Sequence, residues 1–334
     1  MILITGGTGF IGAHLLYYLV KRGTEVLALK RSSSNLDYIR KVFSSYVGES
    51  DAKELFDQIE WVEADITDYS QLLAIEPIPD FIWHCAGYVS FDPAEKNKIF
   101  KTNIGGTANV VNYALEKGIG KLGYISSVAA LDAVADGDYV TETHFGNVPQ
   151  RSSAYAESKF KAELEVWRGI EEGLDAIIVN PSVVIGPGFP DGGISKILER
   201  GKKGLKFFPA GKTGFVDIRD VCRVSLMLDE MKIYNERFIL SENNYSYQKL
   251  FEFINEDFGH NPPKKYLRPW LTALAWKLER IRSTLLNSSP LLTRETHHAA
   301  HNQVLFSNMK IREQLHYEFI PVRDSVSAMV SSVK

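Results

Sequence analysis

The chain has 334 residues, 45% of them hydrophobic and 24% charged, with 38 Lys and Arg against 41 Asp and Glu. That is ordinary globular composition, long enough for one large α/β domain with an appended part or for two domains. A net charge of −3 gives no reason to expect nucleic acid, and no apolar run reaches the roughly 18–20 residues that span a bilayer.

The first twelve residues, MILITGGTGFIG, read as strand, turn and helix start. Ile2 to Ile4 form a short apolar strand, Thr5 to Gly9 a tight turn, and a helix runs from Phe10 to about Gly23. Gly6 permits the sharp exit from the strand. Gly9, without a Cβ, lets backbone lie against a pyrophosphate, and Gly12 lets the helix pack closely on the strand. The free amides and positive dipole end of the helix then face phosphate. Glu25 to Lys30 is the second strand, and Ser32 to Asp57 a long, mostly helical insertion. Ile59 to Ala64 and Asp80 to His84 are the third and fourth strands. Pro93 to Lys117 reads as one long helix, Lys121 to Ser126 as the fifth strand, Ser152 to Glu172 as a second long helix and Ala176 to Asn180 as the sixth strand. Strands alternating with helices predict a parallel sheet wrapped on both faces. After Pro181 a Gly- and Pro-rich loop leads into short elements: a helix near Ile194 to Gly201, strand-like pieces at Leu205 to Phe208 and Gly214 to Val216, and a helix from Asp217 to Met231. A strand near Arg237 to Leu240 and helices at Tyr247 to Phe258, Pro269 to Leu286 and Val322 to Ser331 complete the chain. The first strand begins at residue 2, which leaves no room for a signal peptide. Cys85 and Cys222 are too few for a disulfide framework, so a reducing, cytoplasmic compartment is expected.

Tyr155 and Lys159, in YAESK, stand four apart on one helix face. An ammonium beside a phenol favours the phenolate, so the pair predicts a Tyr pKa lowered toward neutrality, useful for general acid–base work. Ser126 and Ser127 end the fifth strand, where a hydroxyl meets ligands at the sheet's C-terminal edge. Lys30 and Arg31, followed by two serines, end the second strand. A guanidinium there binds a 2′-phosphate that an Asp or Glu would repel. NADP(H) is therefore favoured over NAD(H).

The GxxGxxG spacing in TGGTGFIG, with YxxxK and the strand-end serines, resembles the extended branch of the short-chain dehydrogenase/reductases. The resemblance implies a Rossmann-like doubly wound parallel sheet of about seven strands. Residues 1–180 would form the cofactor domain, with 214–240 returning to it, and 181–334 a mainly substrate-binding part. Gly6, Thr8, Gly9, Phe10, Ile11 and Gly12 would line the dinucleotide, together with Asp65 and Ile66 beside the adenine and Cys85, Ala86 and Gly87 beside the adenosine ribose. Tyr155 and Lys159 would touch the cofactor as well, and Pro181, Val183 and Val184 would lie against the nicotinamide carboxamide. Arg is usual before this Pro; Asn180 departs from the pattern. Ser127 aligns with the catalytic serine better than Ser126, and Asn103 in KTNIGGTANVV would support the cofactor and a proton relay. His84 reads as a strand-end polar residue, and Asp220 in GFVDIRDVC as one that caps or positions a helix.

Val128 to Leu131 after the serines carry no acid, unlike nucleotide-sugar dehydratases, and the VYG common in sugar epimerases is absent. The apolar stretch fits a reductase or dehydrogenase acting on a less polar substrate, and most of the chain resembles the dihydroflavonol 4-reductase and 3β-hydroxysteroid dehydrogenase group, which implies hydride transfer to a small-molecule carbonyl, or oxidation of the alcohol. A nucleotide-sugar epimerase or reductase and a non-catalytic NADP sensor are the alternatives. A homodimer through the two long helices is what the resemblance implies for assembly. Tyr266 to Leu292 is the least family-like part. Trp270, Leu271, Leu274, Leu278 and Ile281 suggest an apolar helix face with Lys277, Glu279, Arg280 and Arg282 around it. It packs on the second domain, covers the substrate pocket or makes peripheral contact with a membrane surface. His297, His298 and His301 lack a fourth ligand and read as surface histidines; no metal is expected.

Overall fold

The computed structural model describes residues 1–132, 134–135, 137–146, 153–188, 194–285 and 293–333, apart from the side chains of 280, 281 and 283–285. Ser152, the stretch from Phe189 to Gly193, the side chains of Arg280 and Ile281, and Leu286 to Leu292 thus lie outside it. Seven strands form one parallel sheet, in the spatial order Glu236–Leu240, Asp175–Pro181, Lys121–Ile125, Phe81–His84, Ile2–Thr5, Val26–Lys30, Ile59–Glu63. The inner strands are near-continuous apolar runs because both faces are covered. One face packs on helices Phe10–Lys21, Asp37–Ser44 and Ile218–Glu230 through Leu15, Tyr17, Phe43 and Val224. The other packs on Gly106–Glu116 and Ala154–Glu171 through Val110, Tyr113 and Val166. This is the expected doubly wound α/β sheet, with Glu236–Leu240 as its seventh strand.

The insertion after the second strand forms two helices, Asp37–Ser44 and Glu49–Asp57. They bury Ile39, Val42, Phe43 and Phe56, and Tyr46 stacks on Tyr17 with ring centroids 4.1 Å apart. The segment expected as one helix from Pro93 to Lys117 differs. It is a 3₁₀ turn (Pro93–Glu95), an α-helix (Lys96–Phe100), a π-helical turn (Lys101–Gly105) and a second α-helix (Gly106–Glu116). Two glycines weaken the α ladder here, and a Cβ on Gly106 would lie 2.5 Å from Ile66. The wider turn carries Asn103 into the interior, 2% exposed.

A smaller layer follows Pro181. Val183–Ile185 pairs in parallel with Lys212–Asp217, which pairs antiparallel with Asn243–Ser246. Helices Ile194–Gly201, Tyr247–Asp257 and Val322–Ser331 close its core around Phe215, Leu250, Ile254 and Met329. Among the described residues, no helix is long and apolar enough to cross a membrane.

Two features of the core generate predictions. Gly123 pairs with Trp83 across adjacent strands, and a Cβ on Gly123 would fall within the Trp83 indole, which is fully buried. Gly123→Ala therefore overpacks the centre of the sheet and should cost about 1–3 kcal/mol, read as a lower thermal midpoint. His14 and His84 are buried, and burial pushes both pKa values down to about 3. The unfolded chain then binds more protons between about pH 6.5 and 3, so stability falls as pH drops through that window, by on the order of 2 kcal/mol per histidine between pH 7 and 5. Denaturant midpoints that did not change over this range would show that the two imidazoles are not held neutral.

Candidate active site

Parallel strands end at one edge, so the turns that follow them share a rim, the usual ligand side of such sheets. On this rim Gly6 has φ +69°, and a Cβ there would lie 2.5 Å from the backbone of Ala86. A Cβ on Gly12 would enter the Gly6 carbonyl, so Gly12 packs against the turn itself rather than against the strand. Gly9 is the N-cap of the first helix; its amide donates to the Gly6 carbonyl at 2.9 Å, and no side chain caps the helix. The result is a backbone cradle at an uncapped helix N-terminus, with Gly9 exposed and Thr8 half-buried. A dinucleotide pyrophosphate fits such a cradle, because its oxygens accept from first-turn amides without meeting a side chain.

The neighbouring turns are tied to this one. His84 Nδ1 hydrogen-bonds Thr5 Oγ1 at 2.6 Å, and its Nε2 hydrogen-bonds Thr107 Oγ1 at 2.9 Å. Both ring nitrogens are committed, so His84 is a bridge between two elements. Cys85 follows, its thiol pushed up to about 12 by burial. Ala64 donates to the carbonyl of Lys30 at 3.0 Å, which brings Asp65 beside Lys30 and Arg31. Asp65 accepts from the Thr67 amide through Oδ1, and the next helix is capped by Asp68, not Asp65. Arg31 is exposed, on a turn closed by Ser34. Among the described residues, no carboxylate forms an ion pair with Lys30 or Arg31.

The reacting groups converge from two elements. Ser127 follows the Lys121–Ile125 strand and caps a short 3₁₀ turn, its Oγ accepting from the Ala129 amide at 3.2 Å. Tyr155 stands in the first turn of Ala154–Glu171, a helix capped by Ser153. The Ser127 side chain lies close enough to Tyr155 to favour its ionised form. Lys159, one turn on, donates to the Ile125 carbonyl at 2.8 Å and lies 3.5 Å from the Tyr124 hydroxyl. A Cβ on Gly87 would lie 3.6 Å from Lys159 Nζ and 3.7 Å from Asn103 Oδ1. Asn103 accepts from the Tyr88 amide at 2.7 Å and donates to the Tyr88 carbonyl at 3.0 Å and Ser158 Oγ at 2.8 Å; Ser158 in turn donates to the Tyr155 carbonyl.

The electrostatics depart from the sequence expectation. Burial raises the Tyr155 pKa, and only Ser127 acts against it. Lys159 does not lower it, because its ammonium is directed at the strand end. Burial instead brings Lys159 itself down to about 8, with Glu163 opposing. The two serines separate cleanly. Ser126 is 5% exposed and donates to Glu163 Oε2 at 2.5 Å. Asn180 donates to the same oxygen at 2.8 Å and to the Ser127 carbonyl at 3.1 Å. Arg237 Nε stands 3.2 Å from Glu163 Oε1. Pro181 ends its strand beside this network, and Val183 and Val184 follow it in half-buried positions. Glu163 and Ser158 were not singled out in the sequence, although Glu163 follows Lys159 by one further helical turn. Of the two roles expected for Asp220, capping or positioning its helix, it takes the second. Asp217 caps the helix, while Asp220, raised to about 6 by burial, accepts from Tyr317 and the Ile320 amide, each at 2.8 Å.

Residues 2–237 match the model of the NAD dependent epimerase/dehydratase family. A dihydroflavonol 4-reductase-like protein of Synechocystis sp. is 29% identical over 84% of this chain and 80% of its own. Sterol demethylase protein B of Methylococcus capsulatus is 26% identical over 80% and 78%, and an anthocyanidin reductase of Vitis vinifera is 27% identical over 79% and 85%. The crystal structure of gox2253 superposes with a TM-score of 0.79 at 28% identity, covering 99% of this chain and 97% of that one. UDP-glucose 4-epimerase from Thermotoga maritima, solved with UDP-glucose, shares the fold with a TM-score of 0.76 at 21% identity, covering 99% and 98%. The chain belongs to the NAD dependent epimerase/dehydratase family, within the extended short-chain dehydrogenase/reductases, which are enzymes that bind nicotinamide dinucleotides.

Proposed function

We propose that this enzyme reduces the carbonyl of a relatively apolar small molecule with NADPH, or oxidises the corresponding alcohol. The observation that carries the reading is the closeness of Ser127 to Tyr155, one helical turn from Lys159, with no acidic side chain among the four residues after the serines. A dehydratase needs an acid there to protonate a leaving hydroxyl. Here the segment is Val128, Ala129, Ala130 and Leu131, with Val128 and Leu131 packed into an apolar cluster with Val140 and Phe145. The Phe91 ring stands edge-on to Tyr155, centroids 6.0 Å apart. The reductase names of several relatives support the same class.

With its pyrophosphate in the glycine cradle, the reduced cofactor would supply the hydride. The chain's own groups manage the oxygen. The Ser127 hydroxyl fixes and polarises the carbonyl, and the Tyr155 hydroxyl gives up its proton to the oxygen as charge develops there. Lys159, held by Ile125, supplies positive charge beneath the site and a donor for the ribose hydroxyls. Asn103 fixes the Gly87–Tyr88 backbone and, through Ser158, the helix turn that carries Tyr155. Lys30 and Arg31, without acidic ion-pair partners among the described residues, support preference for a 2′-phosphate.

Tyr155→Phe should lower kcat by about 10²–10⁴-fold with little change in NADPH affinity. Retention of full activity would move the proton to another group. Titration should show tighter binding of NADPH than NADH, and Arg31→Glu should weaken NADPH about 10–100-fold while sparing NADH; equal affinities in the native chain would refute the assignment of Arg31. Because Lys159 loses its proton near pH 8, kcat/KM should fall as pH rises through about 8. Turnover of a nucleotide sugar, with none on a panel of ketones, aldehydes, flavanonols and steroids, would replace this reading with the epimerase alternative.

A further inference from the structure

The helix Pro269–Leu285 turns only part of its apolar surface inward. Its inner side holds the half-buried Ala273 and Trp276 and the buried Thr272, 7% exposed, which hydrogen-bonds His297 Nδ1 and His301 Nε2, both at 2.8 Å, and the Pro269 carbonyl at 2.9 Å. Its partner there is the helix Arg294–His301. Four large apolar residues point the other way. Trp270 is 59% exposed, Leu271 40%, Leu274 51% and Leu278 58%. Their three- and four-residue spacing makes one continuous stripe. A strand pair continues it: Phe207–Phe208 runs parallel to Lys265–Tyr266 just before the helix, leaving Phe207 51% and Tyr266 46% exposed. A contiguous apolar surface of this kind on a folded chain marks a docking site.

Charge identifies the occupant. The two paired segments, KKGLKFF (202–208) and KKYLRPWLTALAWKL (264–278), contain seven Lys or Arg and no Asp or Glu, in a chain whose net charge is −3. The nearest acids in sequence are already paired, Glu199 with Lys202 at 3.1 Å and Glu279 with Arg282. Lys202 is offset by Glu199; a two-fold dimer through this face would set the other six positive charges against their own copies, whereas an anionic surface neutralises them. Exposed Trp, Tyr and Leu ringed by Lys and Arg form the pattern of a segment lying in the bilayer interface, and this helix does not meet the length and apolarity of a membrane span.

We propose that the Trp270–Leu278 stripe, together with Phe207 and Tyr266, docks this protein on an anionic lipid surface, with the apolar side chains at the acyl boundary and the lysines at the headgroups. The contact is peripheral.

The test is flotation of the full chain with vesicles of phosphatidylcholine alone or mixed with phosphatidylglycerol. Binding is expected to the mixed vesicles, to weaken with salt and to be at least about tenfold weaker on phosphatidylcholine alone. Trp270→Ser with Leu274→Ser and Leu278→Ser should abolish it. Lys264→Gln with Lys265→Gln should reduce it by about tenfold or more. Both variants should keep the native circular dichroism and thermal midpoint, since the altered side chains are exposed. No flotation with the mixed vesicles at low salt overturns the proposal, as does undiminished binding by the serine variant. So does a dimer, seen by light scattering, that the serine variant dissociates, because a second copy is then the occupant.

Discussion

The close approach of backbone to backbone at Gly6 is the constraint on which the cofactor side of this molecule rests. A side chain at Gly6 would strike Ala86, and one at Gly12 would strike Gly6 itself. Two strands and a helix start can therefore meet with only main chain between them. That contact leaves a helix terminus with no side chain in front of it, and it brings the turns after the first and fourth strands together. His84 fixes the same junction from below by bonding Thr5 and Thr107. Burial keeps this imidazole neutral at physiological pH, so the bridge does not place a second cation near Lys159.

The far side of the site is fixed by the first turns of the Ala154–Glu171 helix. Three of its residues face different partners: Tyr155 meets Ser127, Ser158 meets Asn103, and Lys159 meets the end of the fifth strand. The π-helical turn at Lys101–Gly105 is what allows the second contact. A regular α-helix from Pro93 would rotate Asn103 relative to the residues before it. The extra backbone in the turn lets Asn103 bond both backbone groups of Tyr88 and the Ser158 hydroxyl at once.

Much of this was legible in the sequence because it depends on local rules. Apolar runs of four to six residues separated by helical patterns gave the strands of the sheet to within a residue or two, and the glycine spacing located the cradle. What was not legible depends on tertiary contact. Periodicity could not reveal the π-helical turn, since Asn103 turns inward only because Tyr88 and Ser158 are there to receive it. The spacing of Tyr155 and Lys159 correctly places both on one helix face, but it cannot say where a four-carbon stem directs its ammonium. The neighbouring carbonyl of Ile125 decided that, while burial set the direction of the Tyr155 pKa. The helix at Pro269 carried a visible apolar stripe, yet only the packing of Thr272 shows that the stripe faces outward.

The departure at Asn180 shows how such contacts redistribute a role. The resemblance leads one to expect a cation before Pro181, beside the buried carboxylate of Glu163; this chain offers an amide. Parallel pairing sets Arg237 opposite Ile178 and Ile239 opposite Asn180. Because side chains alternate along a strand, Arg237 shares a face with the position of Asn180. It brings its guanidinium to Glu163 from the neighbouring strand, with the Phe145 ring 3.6 Å beneath it. Removing either charge would strand the other in a place where water does not reach it. The smaller amide at 180 then has room to bridge Glu163 and the Ser127 carbonyl. The sheet edge supplies the cation, and Asn180 uses the vacated space to hold the backbone of Ser127.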